Sequence, residues 1–224
     1  MAELIDRYTR TRILFGNAFE HIQNKKVIVF GVGGVGGFVV DCLYRSGLKN
    51  ITIVHKDCFD VTNQNRQIGS EHLNMPKVEV LTQIYEGITP IQERVDKVFL
   101  TQFDIMKFDY IIDAIDDIYA KVEIAKIASN KPFGKYIVST GSAKKLNPLQ
   151  IQVSSIWKTY GDKFARKFRD HLKKADIKKP FKAVFSPEVP KCKNLGSFSA
   201  VTASFGLTIA SEIIQHIIKE EHYA

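Results

Sequence analysis

Residues 25–37 read KKVIVFGVGGVGG, a short apolar run that leads directly into a cluster of glycines. The run at 27–30 predicts a buried strand, and the pattern after it predicts a helix over about 36–46. Glycines between a strand and a helix allow a tight turn, and the helix N-terminus offers free N–H groups to a phosphate. The stretch therefore predicts a nucleotide-binding turn, with the candidates Gly31, Gly33, Gly34 and Gly36.

Strand-like and helix-like segments alternate along the rest of the chain. Strands are expected at 27–30, 51–54, 92–98, 110–113, 136–140 and 150–153. Helices are expected at 3–23, 36–46, 76–87, 118–130 and 198–219. This alternation predicts an α/β fold, a Rossmann-like, mainly parallel sheet with helices on both faces. We expect a single domain over 1–224, with a basic insertion at about 157–195 and a C-terminal helix.

Two polar stretches accompany the glycine turn. Residues 57–67 read DCFDVTNQNRQ, followed by Pro76 and Lys77, and residues 113–117 read DAIDD at the end of a predicted strand. Open α/β sheets bind ligands at the carboxyl ends of their strands. There Arg66 and Lys77 can offset charge on a phosphate, and the Asp116 carboxylate can hold Mg²⁺.

The residue at the end of the second predicted strand bears on which nucleotide is bound. Nicotinamide enzymes usually place an acid there for the ribose hydroxyls. Here the strand ends at His55, and Asp57 follows two residues later. This weakens a dehydrogenase interpretation, although Asp57 can still reach the ribose.

Four motifs occur in a fixed order: GxGGxG, then T-N-x-x-R-Q at 62–67, then P-K at 76–77, then D-A-I-D at 113–116. In this order they resemble the superfamily of ubiquitin-activating-type adenylating enzymes, which includes the sulfur-carrier adenylyltransferases. R-Y-T-R-T at 7–11 and G-S-x-x-x-V-T-A-x-F-G at 196–206 resemble its tRNA threonylcarbamoyladenosine dehydratase branch. The resemblance implies an ATP-dependent, AMP-forming enzyme that cyclises a threonylcarbamoyl group on tRNA through an acyl-adenylate.

The resemblance also implies roles for individual residues. The glycine turn would hold ATP, Asp116 would act through Mg²⁺ on the α-phosphate, and Arg10 would be lent across the interface of a homodimer. The triphosphate would be met by the side chains of Asn63, Arg66, Gln67 and Lys77. The family's ribose-binding acid falls on His55, so that His55 or Asp57 takes over, or ATP binds less well, or activity has been lost.

Positive charge is concentrated in one segment. Residues 158–193 contain 12 Lys or Arg and 4 Asp or Glu, a surplus equal to the net charge of +8 of the whole chain. A clustered surplus indicates a polyanionic partner, and together with the resemblance it favours tRNA over a solvated lysine-rich face. The candidate RNA-binding residues are Lys163, Arg166, Lys167, Arg169, Lys173, Lys174, Lys178 and Lys179.

Cysteine content and hydropathy exclude several classes. Cys42, Cys58 and Cys192 form no CxxC pair, which excludes a zinc site with four cysteine ligands. Cys192 lies between two lysines that favour a thiolate, but an incidental loop cysteine is the preferred interpretation. The charged start and the lack of a long apolar run indicate a cytoplasmic protein without a membrane span.

Alternatives to the tRNA enzyme stay open at this point. The chain could adenylate the C-terminus of a ubiquitin-like sulfur carrier, or be a nicotinamide dehydrogenase, or be a catalytically reduced nucleotide-binding scaffold. A sulfur-transfer protein is a possible further partner. The absence of CxxC pairs and the basic segment favour RNA over a carrier protein.

Overall fold

The apolar runs form seven strands in the computed structural model, which describes residues 5–222. Their bounds are β1 Lys26–Phe30, β2 Asn50–Val54, β3 Thr89–Ile91, β4 Tyr110–Asp113, β5 Tyr136–Ser139, β6 Gln152–Ser155 and β7 Lys182–Phe185. They make one sheet in the order β3-β2-β1-β4-β5-β7-β6. Neighbouring strands are parallel, except that β6 runs antiparallel to β7.

Eight α-helices connect and flank these strands within the described residues. Their bounds are α1 Thr9–Phe15, α2 Ala18–Asn24, α3 Gly36–Arg45, α4 Lys77–Ile84, α5 Lys97–Gln102, α6 Ile118–Ala128, α7 Lys163–Lys174 and α8 Ser199–His222. Short 3₁₀ turns lie at Val61–Asn63, Pro148–Gln150 and Ile156–Lys158.

The central strand β1 has helices on both of its faces. Its side chains alternate, so that Val27 and Val29 enter one buried core while Ile28 and Phe30 enter the other. The first core is built with α3, α4 and α8, and the second with α5, α6 and α7. A strand buried on both faces is apolar throughout, which explains the continuous run seen in the sequence.

The strand order reverses beside β1, because β2 lies on one side of it and β4 on the other. The chain therefore leaves β1 and β4 toward opposite faces of the sheet, and a crevice opens outside their carboxyl ends. We call this place the sheet-edge cleft, bounded by the turn after β1 and the turn after β4.

The expected fold class is confirmed, with local differences. The strand predicted at 92–98 is wrong: β3 ends at Ile91, and the Asp96 side chain accepts a hydrogen bond from the N–H of Phe99 and begins helix α5. The helix predicted at 3–23 is broken at Gly16, whose φ of 56° favours glycine, and its first residues lie outside the described range. β7, inside the segment predicted as an insertion, was not predicted at all.

Helix α8 is long and apolar enough in composition to cross a membrane. Half of that apolar stretch is buried in the protein, where it packs against α3 and the sheet. Core helices have the same composition, so the length and hydropathy of α8 are weak evidence for a membrane span.

Candidate active site

The glycine turn lies against the turn that follows β4. Gly31 has a φ of 84°, and a Cβ added there would lie 2.9 Å from the carbonyl carbon of Ala114. A Cβ on Gly36 would lie 1.8 Å from the carbonyl oxygen of Gly31. These two positions therefore require glycine for close backbone approach, and they set the shape of the turn.

The other two glycines face polar side chains across the sheet-edge cleft. A Cβ on Gly34 would lie 3.1 Å from Cγ of Arg66, and a Cβ on Gly33 would lie 3.6 Å from Nε2 of Gln67. Gln67 Oε1 is buried and has no hydrogen-bond partner. The structure thus brings the glycine turn together with two side chains that the sequence placed more than 30 residues away.

Arg66 is positioned by the polar loop at 57–74. The Asp60 side chain accepts hydrogen bonds from the N–H of Thr62 and from Nδ2 of Asn63, which fixes the 3₁₀ turn Val61–Asn63. Arg66 Nη1 donates to the carbonyl oxygen of Thr62 and to Oδ1 of Asn65, at 2.8 Å each. Asn63, predicted to meet a triphosphate, supports this loop through Asp60.

Lys77 is the first residue of α4 and is only 6 % exposed. Its ammonium lies 5.5 Å from the ring centroid of Phe59 and makes no ion pair with a described residue. Burial lowers the pKa of Lys77, and the nearby carboxylates of Asp57 and Asp60 oppose this. A buried charge without a partner is costly, so an anion that enters the cleft beside Lys77 would be stabilised there.

His55 lies between the glycine turn and Lys77. Its Nδ1 accepts a hydrogen bond of 3.4 Å from the N–H of Val32, so Nε2 carries the hydrogen. Nε2 is buried without a hydrogen bond, although Oδ2 of Asp57 lies 3.4 Å away. Burial, together with the charge of Lys77, lowers the pKa of His55 to about 4, which leaves the imidazole neutral at pH 7.

Three carboxylates lie at the end of β4 and in the turn after it, and they have different environments. Asp113 is fully buried and accepts a hydrogen bond of 2.8 Å from Lys121 Nζ. Asp117 begins α6 by accepting from the N–H of Tyr119. Asp116 is exposed and makes no hydrogen bond or ion pair with a described residue. Asp116 is therefore the carboxylate of this turn that is free to bind a ligand.

The Asp113–Lys121 pair was missed from the sequence. Burial raises the pKa of Asp113 and lowers the pKa of Lys121, while their mutual contact favours the charged forms. The hydroxyl of Tyr136 also donates to Asp113 at 3.3 Å. A lysine within a helical pattern normally indicates a surface residue, so no local signal distinguished Lys121.

The charges of the sheet-edge cleft act on one another. Asp116 raises the pKa of both His55 and Lys77, in each case as a minor contribution, which places its carboxylate near them. No group of three or more His, Cys, Asp or Glu able to hold a metal ion occurs among residues 5–222. A cation here would be bound by Asp116 together with oxygens of a ligand or of water, which suits Mg²⁺.

A second polar cluster, also missed, joins the carboxyl end of β5 to α7. The Asp162 carboxylate begins α7 and accepts a hydrogen bond of 2.6 Å from the Thr140 hydroxyl. Lys145 Nζ lies 3.6 Å from the same carboxylate and donates to the carbonyl oxygen of Ser186. All four residues are buried. The cluster fixes the first turn of α7 to the edge of the sheet that carries the cleft.

Helix α7 carries six of the eight candidate RNA-binding residues. Ala165, Phe168 and Leu172 are buried on the side that packs against α6 and the 3₁₀ turn Ile156–Lys158, while the opposite face is exposed. The predicted RNA-binding residues on the exposed side are Lys163, Arg166, Lys167, Lys173, Lys174, Lys178 and Lys179. Arg169 differs, because it is half-buried and donates to the Thr159 hydroxyl.

The far end of α7 returns toward Asp116. The ring of His171 on α7 makes an edge-to-face contact with Tyr119 on α6, with 5.4 Å between centroids. Tyr119 lies three residues after Asp116 and is 72 % exposed. The basic helix is therefore adjacent to the first turn of α6.

Arg10 is exposed on α1, away from the sheet-edge cleft of its own chain, since the main neighbour of α1 is α2. None of the residues of α1 is buried, and its Ile13 and Leu14 side chains are 71 % and 78 % exposed. Cys42, Cys58 and Cys192 are free thiols.

Comparison with known proteins finds a family model and relatives that each cover most of the chain. The model of the ThiF family matches residues 7–224. The chain is 35 % identical over 196 residues to the tRNA threonylcarbamoyladenosine dehydratase of Bacillus subtilis, covering 84 % of this chain and 77 % of that protein. It is 27 % identical over 241 residues to the protein of the same name from Haemophilus influenzae, covering 94 % and 92 %.

Two of the similar solved structures contain a bound adenine nucleotide. The structure of the Escherichia coli tRNA N6-threonylcarbamoyladenosine dehydratase in complex with ATP matches with a TM-score of 0.88 at 29 % identity, covering 97 % of this chain and 96 % of that one. Its complex with AMP matches with the same TM-score and identity.

Proposed function

Because the chain belongs to the ThiF family, we propose that it uses ATP to dehydrate threonylcarbamoyladenosine in tRNA to its cyclic form. The observation that carries this proposal is the buried ammonium of Lys77, which has no paired anion and lies at the cleft of the glycine turn. Two further buried atoms, Gln67 Oε1 and His55 Nε2, lack hydrogen-bond partners there. These groups suit a bound nucleoside triphosphate.

The geometry supports one orientation of ATP. Its phosphates would lie over Gly33 and Gly34, at the N-terminus of α3, with Arg66 and Lys77 offsetting their charge. Gln67, and Asn63 once released from Asp60, would add hydrogen bonds. The ribose would lie toward the end of β2, where His55 Nε2–H donates to a hydroxyl and Asp57 accepts from one.

The reaction then proceeds by transfer of AMP. An oxygen of the threonylcarbamoyl carboxylate attacks the α-phosphorus, the bond to pyrophosphate breaks, and a mixed anhydride with AMP forms. The carbamoyl group attacks the activated carbonyl, loses its proton, and expels AMP, which keeps the former carboxylate oxygen. The net change is loss of one water. Ring closure within one group needs positioning more than a strong base, because its effective molarity is high.

Mg²⁺ fits the residues present, with Asp116 as its protein ligand and phosphate oxygens and water completing the site. When bound it would neutralise charge that develops on the α-phosphate. Asp116 is suited to this because its neighbours Asp113 and Asp117 are already occupied by Lys121 and by the start of α6.

The tRNA would lie along the exposed face of α7. The Tyr119–His171 contact places the end of this helix beside the turn that carries Asp116. Phosphates bound by the lysines of α7 can therefore belong to the same RNA whose modified nucleoside enters the cleft. An enzyme acting on tRNA would work in the cytoplasm.

We further propose that the active form is a homodimer that shares Arg10. Ile13 and Leu14 leave an apolar surface on α1 that a second copy can bury. Arg10 on the same helix would then enter the cleft of the partner. Within each copy the chain would act as one domain, because both cores pack on the same sheet.

The direct test supplies ATP labelled at the α-phosphate and tRNA from a strain that lacks this protein. We expect AMP release that depends on this tRNA, and a modified nucleoside lighter by one water in mass analysis. Arg66→Ala should abolish both, while Arg94→Ala, which removes an exposed arginine outside the cleft, should leave them unchanged.

The same assay separates the alternatives. AMP release stimulated only by a sulfur-carrier protein would reject the tRNA proposal and indicate carrier adenylation. A sulfur-transfer partner would then be expected as well. ATP binding without turnover on either substrate would indicate a catalytically reduced scaffold.

A further inference from the structure

A surface groove of about 370 Å³ lies outside the sheet-edge cleft, where the 3₁₀ turn Ile156–Lys158 meets the turn after α7. Its lining is Trp157, Lys173, Asp176, Ile177 and Lys178. The proposed reaction uses none of these as a catalytic group. The groove combines an aromatic wall with lysines on a surface that already carries the excess charge.

Trp157 is held in a fixed position in this groove. Its Nε1–H donates a hydrogen bond of 3.0 Å to the carbonyl oxygen of Lys178. The side chain of Ile156 beside it is fully buried and anchors the turn. Because the polar edge of the indole is already satisfied, Trp157 offers a ligand only its apolar surface.

The opposite wall is equally well defined. Asp176 has a φ of 54°, and the N–H of Ile177 donates to the carbonyl oxygen of Leu172, which closes the end of α7 tightly. The acid of the groove, Asp176, is paired with Lys178 at 2.8 Å. Lys173 is exposed and forms no ion pair with a described residue.

An aromatic wall beside two exposed lysines, of which Lys173 is unpaired within residues 5–222, matches one ligand chemistry. An anion alone would need no indole, and an apolar peptide would gain nothing from the lysines. An unpaired nucleobase stacks on an aromatic side chain while the phosphates next to it bind lysines. The groove is also continuous with the basic face of α7, since Lys173 belongs to both.

We propose that this groove binds an unpaired nucleobase of the tRNA against Trp157, with Lys173 and Lys178 on the adjoining phosphates. This rests on the proposed function, because it assumes that tRNA lies on α7. It adds a site at which the protein distinguishes a single-stranded part of the tRNA from a duplex of equal charge.

The chain contains one tryptophan, so intrinsic tryptophan fluorescence reports on this groove alone. Titration with tRNA should change the emission of Trp157, whereas a fully paired RNA duplex should bind through charge without changing it. An unchanged emission at tRNA concentrations that saturate binding would overturn the proposal.

Variants test the contribution to affinity, measured with labelled tRNA. Trp157→Ala should weaken binding about 5- to 150-fold, the range for loss of one stacked base. Trp157→Phe should restore most of it. The dependence of affinity on salt should stay the same in both variants, since no charge is removed. ATP binding by Trp157→Ala serves as the check that the variant is folded.

The outcomes distinguish the two proposals. Wild-type affinity in a folded Trp157→Ala variant, with normal tRNA-dependent AMP release, overturns the groove and leaves the proposed function intact. A wild-type protein that neither binds tRNA nor releases AMP with it overturns both.

Discussion

The sheet-edge cleft and the exposed face of α7 both present cations, but in opposite environments. In the cleft Lys77 is buried and Arg66 is fixed by two hydrogen bonds. On α7 the lysines and Arg166 project into solvent from a helix whose other face fills the core. In the cleft the Lys77 ammonium has already lost water and Arg66 is already oriented, whereas α7 offers charge at variable geometry. The first arrangement suits recognition of one small ligand, and the second suits a long polyanion.

The greatest stability loss should come from the buried pair that supports the cleft. Lys121→Met leaves the Asp113 carboxylate buried without its partner, which should lower the free energy of unfolding by about 3–5 kcal/mol. The double variant Asp113→Leu/Lys121→Met should lose less than the single variant. Urea unfolding measures both.

Lys126→Met is the matched control, because Lys126 is an exposed lysine on the same helix. Its effect on the free energy of unfolding should be within about 0.5 kcal/mol. Equal losses for Lys121→Met and Lys126→Met would contradict a supporting role for the buried pair.

Replacing Asp116, the cleft carboxylate without a partner among the described residues, should lower turnover but change the free energy of unfolding little. Asp116→Asn removes the charge proposed to hold Mg²⁺, and should lower kcat for AMP release about 100- to 1,000-fold. Glu86→Gln, at an exposed position outside the cleft, should leave kcat unchanged. A kcat of Asp116→Asn within twofold of wild type would show that this carboxylate does not act on the α-phosphate.

His55 makes the cleft sensitive to acid. Its folded pKa of about 4 lies below the unfolded value near 6.5, so the unfolded chain binds more protons between these values. Stability from this group is therefore complete above about pH 6.5 and is lost as pH falls toward 4, by about 3 kcal/mol in all. In urea unfolding, the free energy of unfolding of His55→Gln should therefore fall less than that of the wild type between about pH 6.5 and pH 4. If the free energies of unfolding of the wild type and of His55→Gln changed in parallel with pH, the lowered pKa of His55 would be refuted.

Removing charges from the exposed face of α7 should have the smallest effect per residue. The effect is on affinity for tRNA, and it should depend on salt concentration. Replacing Arg166, Lys167 and Lys174 by Ala should reduce the slope of log affinity for tRNA against log salt by about 2 to 3. ATP binding should be unaffected.

Replacement of three exposed lysines elsewhere, Lys49, Lys126 and Lys219, provides the control of equal charge. If both triple variants changed the salt slope equally, net charge rather than the face of α7 would attract the RNA.

Sequence alone predicted those parts of the cleft that follow directly from a strand. The glycine turn comes after β1 and Asp116 comes after β4, and strands of a parallel sheet deliver such residues to one edge. Arg66 and Lys77 were proposed as phosphate-binding cations from the polar stretches that contain them, and the family motifs added to that interpretation. The contact between Arg66 and the glycine turn emerges only from the fold.

Long-range polar contacts could not be predicted. Lys121 and Lys145 look like ordinary surface lysines in sequence, because their partners Asp113 and Asp162 are identified only by tertiary packing. β7 was missed for a related reason: its four residues lie in a basic segment with prolines, and the sheet rather than local pattern makes them a strand.

The Asp162 carboxylate fixes the distance between helix α7 and the sheet-edge cleft. It ties the first turn of α7 to Thr140 at the end of β5, and Lys145 holds the neighbouring loop to the same point. The span from the lysines of α7 to the cleft is therefore set by rigid elements rather than by a tether. We expect RNA bound on α7 to present its modified nucleoside to the cleft at a fixed distance. Inserting one residue before α7 should therefore lower tRNA-dependent AMP release far more than neutralising a single lysine does.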